Sequence, residues 1–251
     1  MKKALFLTLA AVLILSIFIG CSEEPSNPVE PPRNLTITAN ADGLTLTLSW
    51  TKSLSEDDED GIDGYYVYFN DEIVADLAEG TYQYQFSPDA LGDISVSAYR
   101  GDEESNLVTV NTELVERTGI SLDSWTGSDP SSIGWDRATG YYTLYNTIPA
   151  NASDIDLIWD SRDNTLNSPD LDDYFGADGR SSAISDAIAE TDSVAPADFY
   201  NYTEITVGDI YVVKLITDGT YYVRIQTESE SDGVLVISYG FQKIQGYKRL
   251  Q

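Results

Sequence analysis

Histidine is absent from this chain of 251 residues, cysteine and methionine occur once each, and the only methionine is Met1. Without an imidazole there is no Ser-His-Asp or Cys-His catalysis, and no histidine ligation of haem or zinc. Cationic side chains are also scarce, with 14 Lys+Arg against 42 Asp+Glu and a net charge of −28. After residue 20 no basic cluster exists apart from Lys248-Arg249, so neither phosphate neutralisation on a nucleic acid nor direct basic contact with a lipid surface is supported. Long apolar runs are missing except one, Ala4 to Ile19, which is broken only by Thr8 and Ser16. At 16 residues it falls short of the ~20 that a spanning helix needs.

What is present begins with that run. Met1-Lys2-Lys3 supplies a basic start, and Phe18-Ile19-Gly20-Cys21 places a small residue just before the single cysteine, with polarity changing abruptly at Ser22. These residues resemble a bacterial lipoprotein signal. The resemblance implies cleavage before Cys21, a thioether-linked diacylglycerol on its sulfur, and a membrane partner reached through that lipid. No free thiol then remains for metal binding or catalysis. Without Lys2 and Lys3 the net charge becomes about −30. Ser22 to Pro32 is rich in proline and charge, and reads as an extended tether over residues 21–31. Serine after the cysteine, then Glu23-Glu24, resembles an outer-membrane sorting or surface-display signal of several Gram-negative lineages, which implies lipid anchoring in the cell envelope at the outer membrane.

The expected fold is all-β, as two units. From Leu35 to Glu116 apolar and polar residues alternate in short runs, the pattern of an antiparallel β-sandwich. Leu44, Leu46, Leu48 and Trp50 share one face, and Leu35, Ile37 and Ala39 do so on a preceding strand. Tyr65-Val67-Phe69, Ile73-Val74, Tyr82 to Phe86, Ile94 to Tyr99 and Leu107 to Val110 complete seven short strands. Pro-Pro-Arg-Asn-Leu from Pro31, Leu-Thr-Leu-Ser-Trp at 46–50, Gly64-Tyr-Tyr-Val-Tyr68, and Ile94 to Tyr99 followed by Glu104-Ser105 resemble a fibronectin type III domain over 32–117. That likeness implies core roles for Trp50 and Tyr65, and a spacer or adhesion module. The tyrosine usual at the start of the family's sixth strand is replaced near Ile94, so its corner hydrogen bond is expected to be missing or supplied differently.

Glu56 to Gly64 is the sharpest acidic cluster. Asp58, Asp60 and Asp63 around Gly61 offer oxygen ligands for calcium, against the alternative of a solvated loop. An EF-hand is excluded, because counting from Glu56 puts Val67 where the twelfth-position glutamate belongs, between strands rather than helices.

Residues 118–251 read as a second β-rich domain with one short helix, Ser181 to Glu190, inside a long polar stretch from Asp160 to Ile205. Strands are expected at Tyr141 to Thr147 and Ile155 to Trp159. Asp218-Gly219 suits a two-residue type I′ turn, pairing Ile216 with Tyr221, Lys214 with Val223 and Val212 with Ile225. The opposite face then carries Leu215 with Tyr222 and Val213 with Arg224. In Val234 to Phe241, Leu235, Ile237, Tyr239 and Phe241 share one side and read as core. The runs Gly134 to Gly140, Asp154 to Trp159, Ile210 to Ile225 and Val236 to Phe241 resemble the HmuY-type lipoproteins, whose characterised members bind haem through paired His or Met side chains. This chain offers neither beyond Met1, so no ligand residue carries over, and haem would need tyrosine or no axial ligand. Tyr141, Tyr142, Tyr221 and Tyr222 otherwise read as strand residues covering a sheet.

The functional expectation is a non-catalytic envelope lipoprotein: a fibronectin-like spacer presenting a distal domain that binds a small molecule, glycan or protein, with no resident cofactor. Trp125, Trp135 and Trp159 are candidate glycan-stacking platforms, Trp159 fitting a buried strand better. The alternatives are a haem or porphyrin carrier and an acid-pair hydrolase drawing on Asp170, Asp172, Asp173 and Asp178.

Overall fold

The computed structural model describes residues 27–86, 91–190 and 192–251. Cys21, the signal and most of the tether lie outside the described residues. Within them the chain is β throughout, and the short helical segments, Leu54–Asp57, Pro149–Asn151 and Gly176–Asp178, are single 3-10 turns.

Eight strands build the first body: β1 (Arg33–Ala39), β2 (Leu46–Thr51), β3 (Gly64–Phe69), β4 (Glu72–Ala78), β5 (Gln83–Phe86), β6 (Asp93–Arg100), β7 (Glu103–Glu104) and β8 (Val108–Asn111). One sheet has the order β1-β2-β5; the other runs β4-β3-β6, with β7 and β8 both pairing with β6. With three strands facing five, this is the sandwich of a fibronectin type III-like fold. Alternation along β2 sends Leu46, Leu48 and Trp50 inward, where they meet Tyr65, Val67, Ile94, Val96 and Ala98 from the facing sheet. Trp50 packs edge-on against Tyr65 with ring centroids 5.6 Å apart. The Tyr65 hydroxyl accepts from the Ser53 amide at 2.9 Å and donates to Glu56 at 2.7 Å. A tyrosine on β3 thus bonds back to the main chain in this sandwich.

The second body has two five-stranded sheets formed by β9 (Val115–Leu122), β10 (Ser132–Trp135), β11 (Tyr142–Tyr145), β12 (Leu157–Asp160), β13 (Thr165–Asn167), β14 (Ser182–Ile184), β15 (Tyr202–Glu204), β16 (Ile210–Leu215), β17 (Tyr221–Ser231) and β18 (Val234–Phe241). Their orders are β11-β10-β12-β13-β15 and β14-β16-β17-β18-β9. The core between them includes Trp135, Trp159, Leu166, Val213, Leu215, Val223 and Ile225, together with Leu235, Ile237, Tyr239 and Phe241 from one face of β18. β9 runs unbroken across the expected division at 117/118.

Two expectations need correction. Ser181 to Glu190 is not a helix: Ser182, Ala183 and Ile184 pair antiparallel with Leu215, Lys214 and Val213. The Ser185 hydroxyl accepts from the Val212 amide at 2.9 Å, and Ile188 forms an isolated bridge with Ile210. An unpaired sheet edge outcompetes the weak helix preference of a serine-rich segment. In the hairpin, Asp218 (φ 63) and Gly219 (φ 106) do take positive φ, but Leu215 faces Tyr221 and Val213 faces Val223, one residue from the expected register. The amides of Ile216 and Thr217 bond to the Ser181 carbonyl at 3.0 and 3.3 Å instead of to the partner strand. The loop lengthens, and the shift gathers Val213, Leu215, Val223 and Ile225 on the core side.

The last residues return to the first body. Ile244 and Tyr247 belong to the first sandwich's core, and the Gly246 amide donates to the Thr220 carbonyl at 2.7 Å.

Candidate functional site

The edge of the first five-stranded sheet carries a cleft of about 790 Å³. Its floor follows from strand register. Asp160 faces Thr165 and Thr165 faces Glu204, which sets one row across β12, β13 and β15; Asn167 faces Tyr202 in the next row. Because side chains alternate, Trp159, Leu166 and Thr203 between these positions turn into the protein, and all three are buried. Asp163, Leu171, Asp173 and Tyr174 complete the walls.

Asp160 is the buried end of the floor row, 1% exposed. Arg162 grips it through Nε at 2.9 Å and Nη2 at 2.5 Å, the Arg162 amide donates at 2.9 Å, and the Tyr174 hydroxyl donates at 3.0 Å. The Arg162 guanidinium holds the Asp160 carboxyl below its ordinary range, while burial, with the bond to Asp160, pushes the Tyr174 phenol up. Arg162 lies over the Trp125 ring at 5.0 Å, and Trp125 meets Tyr174 edge-on with centroids 4.9 Å apart. The result is a braced aromatic wall beside an open floor where Tyr202 is 58% exposed. A shallower depression continues past Tyr202 to Tyr200 and Asp186.

Chemically, the cleft presents exposed carboxylates on Asp163, Asp173 and Glu204, one guanidinium already committed to Asp160, and the faces of two tyrosines. Such a surface accepts hydrogen bonds from hydroxyl groups and covers apolar ring faces. It repels anions. Asp160 is shifted in the direction opposite to that of a general acid.

The other expected residues distribute as follows. Trp159 and Trp135 are buried core, Trp159 Nε1 donating to the Gly233 carbonyl at 2.9 Å, and Trp125 packs behind the wall residues Arg162 and Tyr174, so none of the three lines the cleft. Of the acidic set, Asp173 lines the cleft, Asp170 accepts from Ser168 and Asp178 ends a 3-10 turn. Tyr142 packs edge-on against Tyr239, Tyr221 stacks on Phe241, Tyr222 packs against Phe199, and exposed Tyr141 lies under Arg117 at 4.6 Å. Asp58 and Asp60 lie exposed on the acidic loop, while Asp63 accepts from the Gly101 amide at 2.7 Å. Among the described residues no three acidic, cysteine or histidine side chains are gathered as metal ligands, so the structure does not bring the calcium trio together. No helix among the described residues is long and apolar enough to cross a membrane. Arg162, Asn167, Tyr174, Tyr202 and Glu204 were not singled out by the sequence; three-residue strands inside a polar stretch are too short to show a period.

No protein-family model and no curated protein matches this chain. Among solved structures, a DUF4466 family protein from Parabacteroides merdae ATCC 43184 is similar over 88% of this chain and 100% of its own, at 12% identity and a TM-score of 0.40. The central fibronectin-III array of RIM-binding protein is similar over 81% of this chain and 70% of its own, at 10% identity and a TM-score of 0.28. Likenesses of this size say nothing of a ligand or a reaction.

Proposed function

We propose that this chain is a non-catalytic binding lipoprotein of the cell envelope, anchored through Cys21, in which the first sandwich is a spacer and the second body presents a cleft for a hydroxyl-rich ligand such as a glycan. The carrying observation is the floor row of Asp160, Thr165 and Glu204 beside Asn167 and exposed Tyr202, backed by the Trp125-Arg162-Tyr174 brace. A neutral sugar matches it through hydroxyl donors to carboxylates and a ring face over tyrosine. The signal and tether support the anchor, and the HmuY-type resemblance of the second body supports a binding role without supplying a haem ligand.

The test is an array of immobilised neutral oligosaccharides probed with the detergent-solubilised full chain. Wild type is expected to bind a subset, with Tyr202→Ala and Glu204→Gln each weakening binding about tenfold, as the loss of one contact of ~1.4 kcal/mol would. Binding that survives both substitutions, or none by wild type, contradicts the reading.

A further inference from the structure

The seam between the two bodies holds a second cleft of about 830 Å³ with the opposite charge. It is lined by residues 37–41 and Gly43 of the first hairpin, Thr220 to Tyr222, and 243–246 with Lys248 from the chain end. Beyond the signal the lysines are Lys52, Lys214, Lys243 and Lys248, and the last three all line this cleft. No aspartate or glutamate does, in a chain with 42 of them.

Lys214 and Lys243 are uncommitted to carboxylates, and the Lys248 charge lies near enough to Asp42 to add to the bonds that hold that carboxyl below its ordinary range. Lys52 pairs with Asp57 at 2.5 Å, whereas none of the seam lysines forms an ion pair among the described residues. Lys248 Nζ donates to the Asp42 carbonyl at 2.9 Å, and Lys214 Nζ lies 5.7 Å from the Phe199 ring centre. Lys243 makes no side-chain hydrogen bond among the described residues. The nearby Asp42 carboxylate is occupied by the amides of Leu44 and Thr45 and by the Thr45 hydroxyl. Three lysines line one cleft, two of them uncommitted to a carboxylate, and an anion in the cleft neutralises that excess positive charge.

From this we infer that the seam cleft binds a compact multivalent oxyanion, carrying carboxylate or phosphate groups on a polar frame. Size follows from the volume, which falls within the ~300–1,000 Å³ of small-ligand sites. A long polyanion is disfavoured by the −28 field of the rest of the chain, which a short one largely avoids. An aromatic ligand is also disfavoured, because Tyr221 is already stacked on Phe241 and Tyr222 against Phe199. Lysines act as point charges with rotatable donors, so the site selects charge number over planar geometry. Thr38, Asn40, Thr220 and Gln245 supply polar groups for the frame. The inference stands apart from the distal cleft, whose exposed carboxylates repel such a ligand.

The test is calorimetric titration of the solubilised full chain with citrate and, separately, inositol hexakisphosphate at low ionic strength. Saturable binding of at least one is expected, weakening as salt is raised; which of the two binds tells carboxylate from phosphate. Lys243→Gln and Lys214→Gln should each reduce affinity about tenfold, the scale of one charge-assisted hydrogen bond, while Lys52→Gln leaves it unchanged. Lys243→Gln is the decisive variant, since that side chain makes no hydrogen bond or ion pair among the described residues that folding would lose, and an unchanged melting temperature checks it. No binding of either probe by wild type, or full affinity in Lys243→Gln, overturns the inference.

Discussion

The main-chain amide of Lys248 donates to the carbonyl of Gly43 at 2.8 Å, which ties the last turn of the chain to the first hairpin of the N-terminal sandwich. Gly43 permits this because it has φ +71, and because a Cβ there would come within 2.7 Å of the Gly246 carbonyl oxygen. The neighbouring Tyr247 is fully buried in the first body's core. The first body therefore depends on Ile244 and Tyr247 for its own packing.

Replacing Tyr247 with alanine is expected to destabilise the first body by roughly 3 kcal/mol, in the range for removing a buried aromatic side chain. Chemical denaturation followed at both bodies checks this. A loss confined to the second body would contradict the shared core.

Asp156 is fully buried and accepts from the Trp135 amide at 2.8 Å and from Arg137 at 2.7 and 2.8 Å, with Arg180 Nη1 at 3.4 Å. Asp156→Ala leaves the largely buried Arg137 guanidinium without its counter-ion and Arg180 with only the exposed Asp218 at 3.7 Å, and should cost about 3–5 kcal/mol. The readout is the denaturant midpoint.

Acid sensitivity should track Asp160. Its carboxyl is held below the ordinary 3.8 first by the Arg162 side-chain bond, so its contribution is fully present above that value. It is lost as pH falls through the lowered folded value. Asp160→Asn should therefore lose less stability than wild type between pH 5 and pH 2, about one unit above and two below the carboxylate reference. Equal losses in both proteins would show that the Arg162 pair contributes nothing.

The anchor is tested at Cys21. Intact mass of the protein extracted from membranes should show a chain starting at Cys21 and carrying diacylglycerol, and Cys21→Ser should release the protein from the membrane fraction. Unmodified Cys21 in a membrane-bound chain would contradict it.

Legibility in the sequence followed strand length. β2 and β18 alternate over six and eight residues, and their inward faces, Leu46-Leu48-Trp50 and Leu235-Ile237-Tyr239-Phe241, were readable as core. The hairpin turn at Asp218-Gly219 was readable too, but its register was not, because Ser181 captures the amides of Ile216 and Thr217 from far along the chain. The same long-range pairing turned Ser182–Ile184 into a strand. The cleft floor rests on β13 and β15, each three residues long, and their alignment depends on partners about 40 residues apart.

The most direct test of the account is to locate the ligand by backbone amide shifts, titrating the solubilised full chain with an oligosaccharide selected on the array. Shifts are expected at Asp160 to Asn167, Tyr174 and Tyr202 to Glu204, with the first sandwich unmoved. Shifts centred on residues 33–111, or spread without a focus in the second body, would contradict it.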